Sequence, residues 1–136
     1  MPRVNAPHVH ESDKFYGIKT SWVHSDLTAS LNSSVVLLQK LLSGFASLGQ
    51  GALKTPVYAV KEFQIPNITI MPIQDIQDSL FKRHILPIEE ELSKPDRQIL
   101  DNIVFDVLDL TQGERDAVYE AVISLVEGRL KKAGSV

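Results

Sequence analysis

A few groups of reactive side chains in this chain are spaced closely enough to suggest chemistry. His8 and His10 are two residues apart, so on an extended strand they would share one face and could hold a metal. Glu11 and Asp13 follow closely, but the spacing supplies no evident third ligand, and polar residues on an irregular arm are the simpler reading. His24, Ser25 and Asp26 are the residue types of a nucleophilic triad. They are contiguous, whereas a triad converges from separate positions, so Ser25 or Asp26 reads better as a helix N-cap. Glu89, Glu90 and Glu91 form a charge run near a helix end, and a solvated face accounts for it. Gly49-Gln50-Gly51 follows a helical pattern rather than a strand, which makes it a helix stop and turn and not a phosphate cradle. Lys14, Tyr16, Lys19 and Trp22 interleave cations with aromatics, an arrangement that suits nucleic-acid contact. Burial of Trp22 in a small core is the competing reading.

Length and composition narrow the classes. At 136 residues, 43% hydrophobic and 23% charged, the chain is an ordinary globular one, large enough for one domain or two small lobes sharing a core. It contains no cysteine, so disulfides, thiolate metal sites and cysteine nucleophiles are excluded. No apolar run reaches the ~18 residues that a membrane helix needs. Residues 1–20 lack a basic start followed by an apolar stretch, so no signal peptide is expected and the cytoplasm is the expected compartment. The net charge of −3 divides unevenly: residues 1–72 carry six Lys/Arg against four Asp/Glu, and residues 73–136 carry eight against thirteen. Phosphate contact is therefore expected in the first half.

The elements that would position these residues follow from apolar spacing. Residues 14–24 are rich in β-branched and aromatic types and read as extended, bent at Gly17. Leu27, Leu31, Val35, Leu38, Leu42 and Phe45 recur at steps of three and four, which predicts one long buried helix ending at Gly44 and the Gly49-Gly51 turn. Residues 52–58 read as a short strand weakened by Pro56, residues 59–63 as one helical turn, and residues 65–72 as extended. Residues 73–84 are helical through Ile73, Ile76, Leu80 and Phe81, and residues 87–92 form a short turn of helix. Pro95 suits a first helical position, followed by an apolar stripe of Ile99, Leu100, Ile103, Val104, Val107 and Leu108. Thr111 and Glu114 have the spacing of a capping box. The helix behind them carries Val118, Val122, Leu125, Val126 and Leu130 on one face and ends in Arg129, Lys131 and Lys132. The expected fold is α+β: a small mixed sheet packed on a long buried helix, then an α-helical tail forming an αα-hairpin. Residues 1–72 form one lobe and residues 73–136 a helical second lobe.

Two stretches resemble one family. Leu31-Asn32-Ser33-Ser34, followed by Leu48-Gly49-Gln50-Gly51-Ala52-Leu53-Lys54 and an Ile65-Pro66 segment, is similar to the end of the target-recognition region in adenine-specific DNA methyltransferases of restriction-modification systems. Residues 100–108, Leu110-Thr111 and residues 118–122 resemble the helical C-terminal end of the same enzymes. The resemblance covers roughly residues 14–130. It implies a non-catalytic piece of such an enzyme, finishing its DNA-recognition region. The parent enzyme would use S-adenosylmethionine, but the glycine-rich cofactor turn and the Asn/Asp-Pro-Pro-aromatic tetrapeptide of that family do not occur here. No catalytic residue, cofactor or metal is therefore expected in this chain. Double-stranded DNA is the expected partner, met by residues 1–72 through Lys14, Lys19, Trp22 and Lys54. A missing catalytic domain or partner subunit would dock on the tail. The alternative is a protein-interaction module that docks or homodimerises through the tail and binds no DNA itself.

Overall fold

The computed structural model describes residues 17–46, 53–55, 57–68 and 74–134. Seven helices carry the described part: α1 (His24–Leu31), α2 (Ser34–Ser43), α3 (Val57–Lys61), α4 (Gln74–Lys82), α5 (Ile88–Ser93), α6 (Pro95–Val107) and α7 (Gln112–Gly134). Extended pairing is confined, among the described residues, to an antiparallel ladder of two residues per strand, β1 (Phe45–Ala46) with β2 (Leu53–Lys54). The architecture is therefore helical, and the expected α+β fold with a mixed sheet is corrected. Of the stretches read as strands, Val57 and Tyr58 are taken into α3, while residues 17–23 are irregular and lead into α1 at His24. The predicted strand over 52–58 ends at Lys54, two residues before Pro56, which has no N–H to give to a ladder.

The expected long helix is also broken. Asn32, Ser33 and Ser34 have short polar side chains that compete for backbone groups, and three in a row turn the chain between α1 and α2. Asn32 Nδ2 donates to Thr28 O at 2.7 Å, and Ser33 Oγ donates to Ser30 O at 2.7 Å while accepting from Val36 N at 3.4 Å as the N-cap of α2. Val23, not Ser25 or Asp26, precedes α1, and no side chain caps that helix. Gly44 ends α2 as expected. Val36 and Leu41, which with Leu37 widen the expected apolar stripe, lie inside, but Leu42 of the central stripe is 66% exposed.

Two apolar clusters form the core. Ala29, Ile68, Ile76, Leu80, Leu100 and Val104 join α1, the segment after α3, α4 and α6. Leu41, Leu92 and Val122, flanked by Leu37, Leu38, Ile88, Tyr119, Ile123, Leu125 and Val126, join α2, α5 and α7. Helix α7 packs chiefly along α2, and α6 packs on α4, α5, α1 and α2, so helices from the two halves of the chain interleave. Residues 63–68 run irregularly over this framework. Gln39 holds them by donating to Gln64 O at 2.8 Å and accepting from Gln64 N at 2.7 Å, and Ser30 Oγ donates to Pro66 O at 2.6 Å.

Pro95 occupies the first turn of α6, as expected. The inward face of α6 is rotated from the expected stripe: Leu100, Val104 and Phe105 are buried together with Asp96, Arg97 and Asp101, whereas Ile99, Val107 and Leu108 are exposed. The link to α7 is a reciprocal stop and start. Leu110 N donates to Phe105 O at 3.0 Å and Asp109 N to Asp106 O at 3.1 Å, the pattern of a Schellman turn. Thr111 and Glu114 form the expected capping box, with Thr111 N donating to Glu114 Oε2 at 2.7 Å and Glu114 N to Thr111 Oγ1 at 3.3 Å. Arg115 lies over the Phe105 ring and donates to Leu110 O and Asp106. Asp109 sits at φ 54°, where an L side chain is strained. Asp109→Gly is expected to raise stability by about 0.5–1 kcal/mol, read as an increase in the urea midpoint; an unchanged or lower midpoint would refute the assignment of strain.

Candidate functional site

The densest grouping of chemical side chains is a buried polar network between the two apolar clusters. Asp101, fully buried on α6, accepts from the Ser34 backbone N–H at 2.8 Å, from Ser34 Oγ at 2.6 Å and from Tyr119 Oη at 3.0 Å. The carboxylate thereby satisfies the exposed start of α2 and pins α7 to it. Tyr119 also meets Phe105 edge-on at 5.7 Å between ring centres. Burial pushes the Asp101 carboxyl above its ordinary range, against the downward pull of Ser34, Arg97 and Tyr119. Tyr119 is pushed up by burial and by the adjacent Asp101 charge.

About one turn N-terminal of Asp101 on α6, Asp96 and Arg97 meet Glu91 of α5 and Arg83 just past α4 in a four-membered ionic group. Arg83 donates to both Glu91 oxygens at 2.8 Å and to both Asp96 oxygens at 2.7 and 2.9 Å. Arg97 donates to Glu91 Oε1 and to the carbonyl of Asn32, where it braces the turn between α1 and α2. Ser79 Oγ donates to Asp96 at 2.7 Å and Leu86 N to Glu91 at 3.1 Å. Burial raises the Glu91 carboxyl, but Arg83, the Leu86 N–H and Arg97 outweigh it and hold the group at about 2. Arg83 above all, with Ser79 and the Arg97 N–H, holds Asp96 well below the usual carboxylate range despite its burial. Arg83 is raised by its bonds to Glu91 and Asp96. Of the glutamate run, Glu89 and Glu90 are exposed, but Glu91 turns inward, which corrects the reading of 89–91 as one solvated face.

Chemically, this arrangement joins helices. Each carboxylate is already met by guanidinium, hydroxyl or backbone N–H groups. Asp96, Arg97 and Asp101 occupy the inward face of α6 at helical spacing with Leu100, Val104 and Phe105; that spacing is the trace the network leaves in the sequence, but distant partners decide which face turns inward. Of this inward face, the apolar spacing picks out Leu100 and Val104 but not Phe105 or the three charged residues.

The expected contact residues fall elsewhere. Lys19 is exposed and Trp22 half-buried on the irregular stretch before α1, with Trp22 N donating to Thr20 Oγ1 at 3.0 Å. Lys54 lies on β2, its backbone paired opposite Phe45 past the far end of α2 from Lys19 and Trp22. Lys14, and the His8, His10, Glu11 and Asp13 grouping, lie outside the described residues, as does the Gly49-Gly51 turn. Among the described residues no group of three or more His, Asp or Glu is placed to hold a metal, and no helix is long and apolar enough to cross a membrane.

No family model, curated protein or solved structure matches this chain.

Two measurements test the network. Asp101→Ala leaves the Ser34 and Tyr119 donors buried without their acceptor and should cost about 3 kcal/mol, read by urea unfolding; a loss below about 1 kcal/mol would mean the network carries no such weight. The folded-state value of Glu91 lies below its ordinary 4.5, so its contribution is present above that pH and is lost as pH falls toward about 2. Asp96 acts in the same sense, whereas Asp101, raised by burial, opposes it. A stability profile should therefore fall below about pH 4.5, and Glu91→Gln should flatten that limb while lowering stability at neutral pH.

Proposed function

We propose that this chain is a non-catalytic DNA-recognition and scaffold segment of an adenine-specific DNA methyltransferase of restriction-modification type, working in the cytoplasm. The observation that carries this reading is the Asp101 network. The two stretches on which the resemblance rests lie 67 residues apart at Ser34 and Asp101, yet they meet there through two hydrogen bonds. Tyr119, from the second stretch, adds a third. Residues that carry the likeness are thus residues that hold the helices together, which suits a scaffold role. In this reading S-adenosylmethionine and the methyl transfer belong to a catalytic domain elsewhere in the parent enzyme.

Duplex DNA is met by residues 1–72, with Lys14, Lys19, Trp22 and Lys54 as contacts: lysines to phosphate, polar groups to base edges. The tail, with Ile99, Val107 and Leu108 exposed along α6, docks the catalytic domain or a partner subunit. Fluorescence anisotropy with a labelled duplex tests the reading. Binding is expected at about 50 mM salt and should weaken steeply by about 200 mM. No binding at the lower salt, with a concentration-dependent dimer in sedimentation, would replace it with the alternative, an interaction module that dimerises through its tail.

A further inference from the structure

Charge in the folded chain is gathered at one end of the α2–α7 pair. The two helices run side by side in the same direction. Ser34 and Tyr119 meet on Asp101 near the starts of both, and Arg129 donates to Leu41 O at 3.1 Å near their ends. This places the basic last turn of α7, Lys131 and Lys132, just beyond the last turn of α2, which carries Lys40. Two further lysines are tied to the same end through the backbone. Phe45, just past α2, pairs with Lys54 across the ladder. Gln39 clasps the Gln64 backbone, three residues beyond Lys61 at the end of α3. Residues 27–61 contain no Asp or Glu at all, so no carboxylate of that stretch offsets these lysines. Glu62 and Glu127 lie on adjoining turns, and Glu89 and Glu90 are exposed on α5, which packs against α7. Lys40, Lys61 and Lys131 are exposed, and none pairs with a carboxylate among the described residues. Tyr58, one turn before Lys61 on α3, is 69% exposed and offers a hydroxyl donor beside them.

From this we infer that the basic end of the α2–α7 pair, with Lys40, Lys61, Lys131 and Tyr58, is the surface that meets the phosphate backbone of duplex DNA. The inference rests on the DNA-recognition reading above but moves the contact. It shifts from the segment before α1 to the far end of α2 and brings in the last turn of α7, which that reading assigned to docking. Neighbouring cations on one surface act together on a polyanion, each meeting a phosphate. The remaining charge on the chain is predominantly acidic and would turn that end toward DNA during approach.

The test is duplex binding by anisotropy across a salt series, with circular-dichroism melts confirming that each variant is folded. The variant Lys40→Gln/Lys61→Gln/Lys131→Gln should bind on the order of tenfold more weakly or worse, with the slope of log K against log salt reduced by roughly three. Lys82→Gln/Lys94→Gln, on α4 and at the start of α6, should change neither. If the triple variant binds like wild type while Lys14→Gln/Lys19→Gln weakens binding, the inference falls and the recognition reading stands. Equal losses in the triple variant and in Lys82→Gln/Lys94→Gln would also overturn it, because the effect would then be net charge rather than this surface. Leu42 and Leu130 are exposed at the same end, so vesicles of phosphatidylcholine with phosphatidylserine form a third arm. Binding of wild type to those vesicles and not to duplex DNA would overturn both the inference and the recognition reading.

Discussion

A carboxylate placed where water cannot reach it costs several kcal/mol unless donors replace its hydration. Asp101 is in that position, fully buried on α6, and its donors come from two other helices. The Ser34 N–H and hydroxyl belong to the start of α2, and the Tyr119 hydroxyl belongs to α7. Three helices therefore have to be in register before the charge is satisfied. Apolar contacts tolerate sliding because they are not directional; these hydrogen bonds do not. The second ionic group extends the same constraint, since Arg97 ties Glu91 on α5 to the Asn32 carbonyl and Arg83 ties the end of α4 to both Glu91 and Asp96.

The apolar core is split between two clusters, and the polar network lies between them. Tyr119 belongs to both kinds of structure, packing in the second cluster while its hydroxyl reaches Asp101, the neighbour of Leu100 in the first. Such a core gains specificity of arrangement rather than raw stability, because the desolvation of each charge offsets much of its attraction. It also separates the molecule by role. The side chains with the most reactive character are spent inside, and the surface is left with lysines at one end of α2 and α7 and carboxylates over much of the second half.

Local signals were legible where the physics is local. The Thr111–Glu114 capping box, Pro95 in the first turn of α6, the stop at Gly44 and the helices over 74–82, 88–93 and 112–134 all depend on residues within a few positions of one another. The strand expectation went wrong because β-branched and aromatic residues favour sheets only where a partner strand can pair with them. Here a ladder of two residues is all that forms among the described residues, and Val57 and Val60 enter a helical turn instead.

Spacing in the sequence was enough to fix a helical tail with defined starts and stops and to exclude every chemistry that needs cysteine, because those follow from composition and from neighbours along the chain. It could not reveal that the helix expected over 27–45 breaks at Asn32-Ser33-Ser34, or that the inward face of α6 holds Asp96, Arg97 and Asp101 in place of Ile99 and Val107. The break has a local trigger in three short polar side chains, but its placement and the inward face of α6 are held by partners 65 and 67 residues away, Arg97 at the Asn32 carbonyl and Asp101 at Ser34. A buried charge is stable only when such distant donors arrive together, and three-dimensional packing alone brings them there.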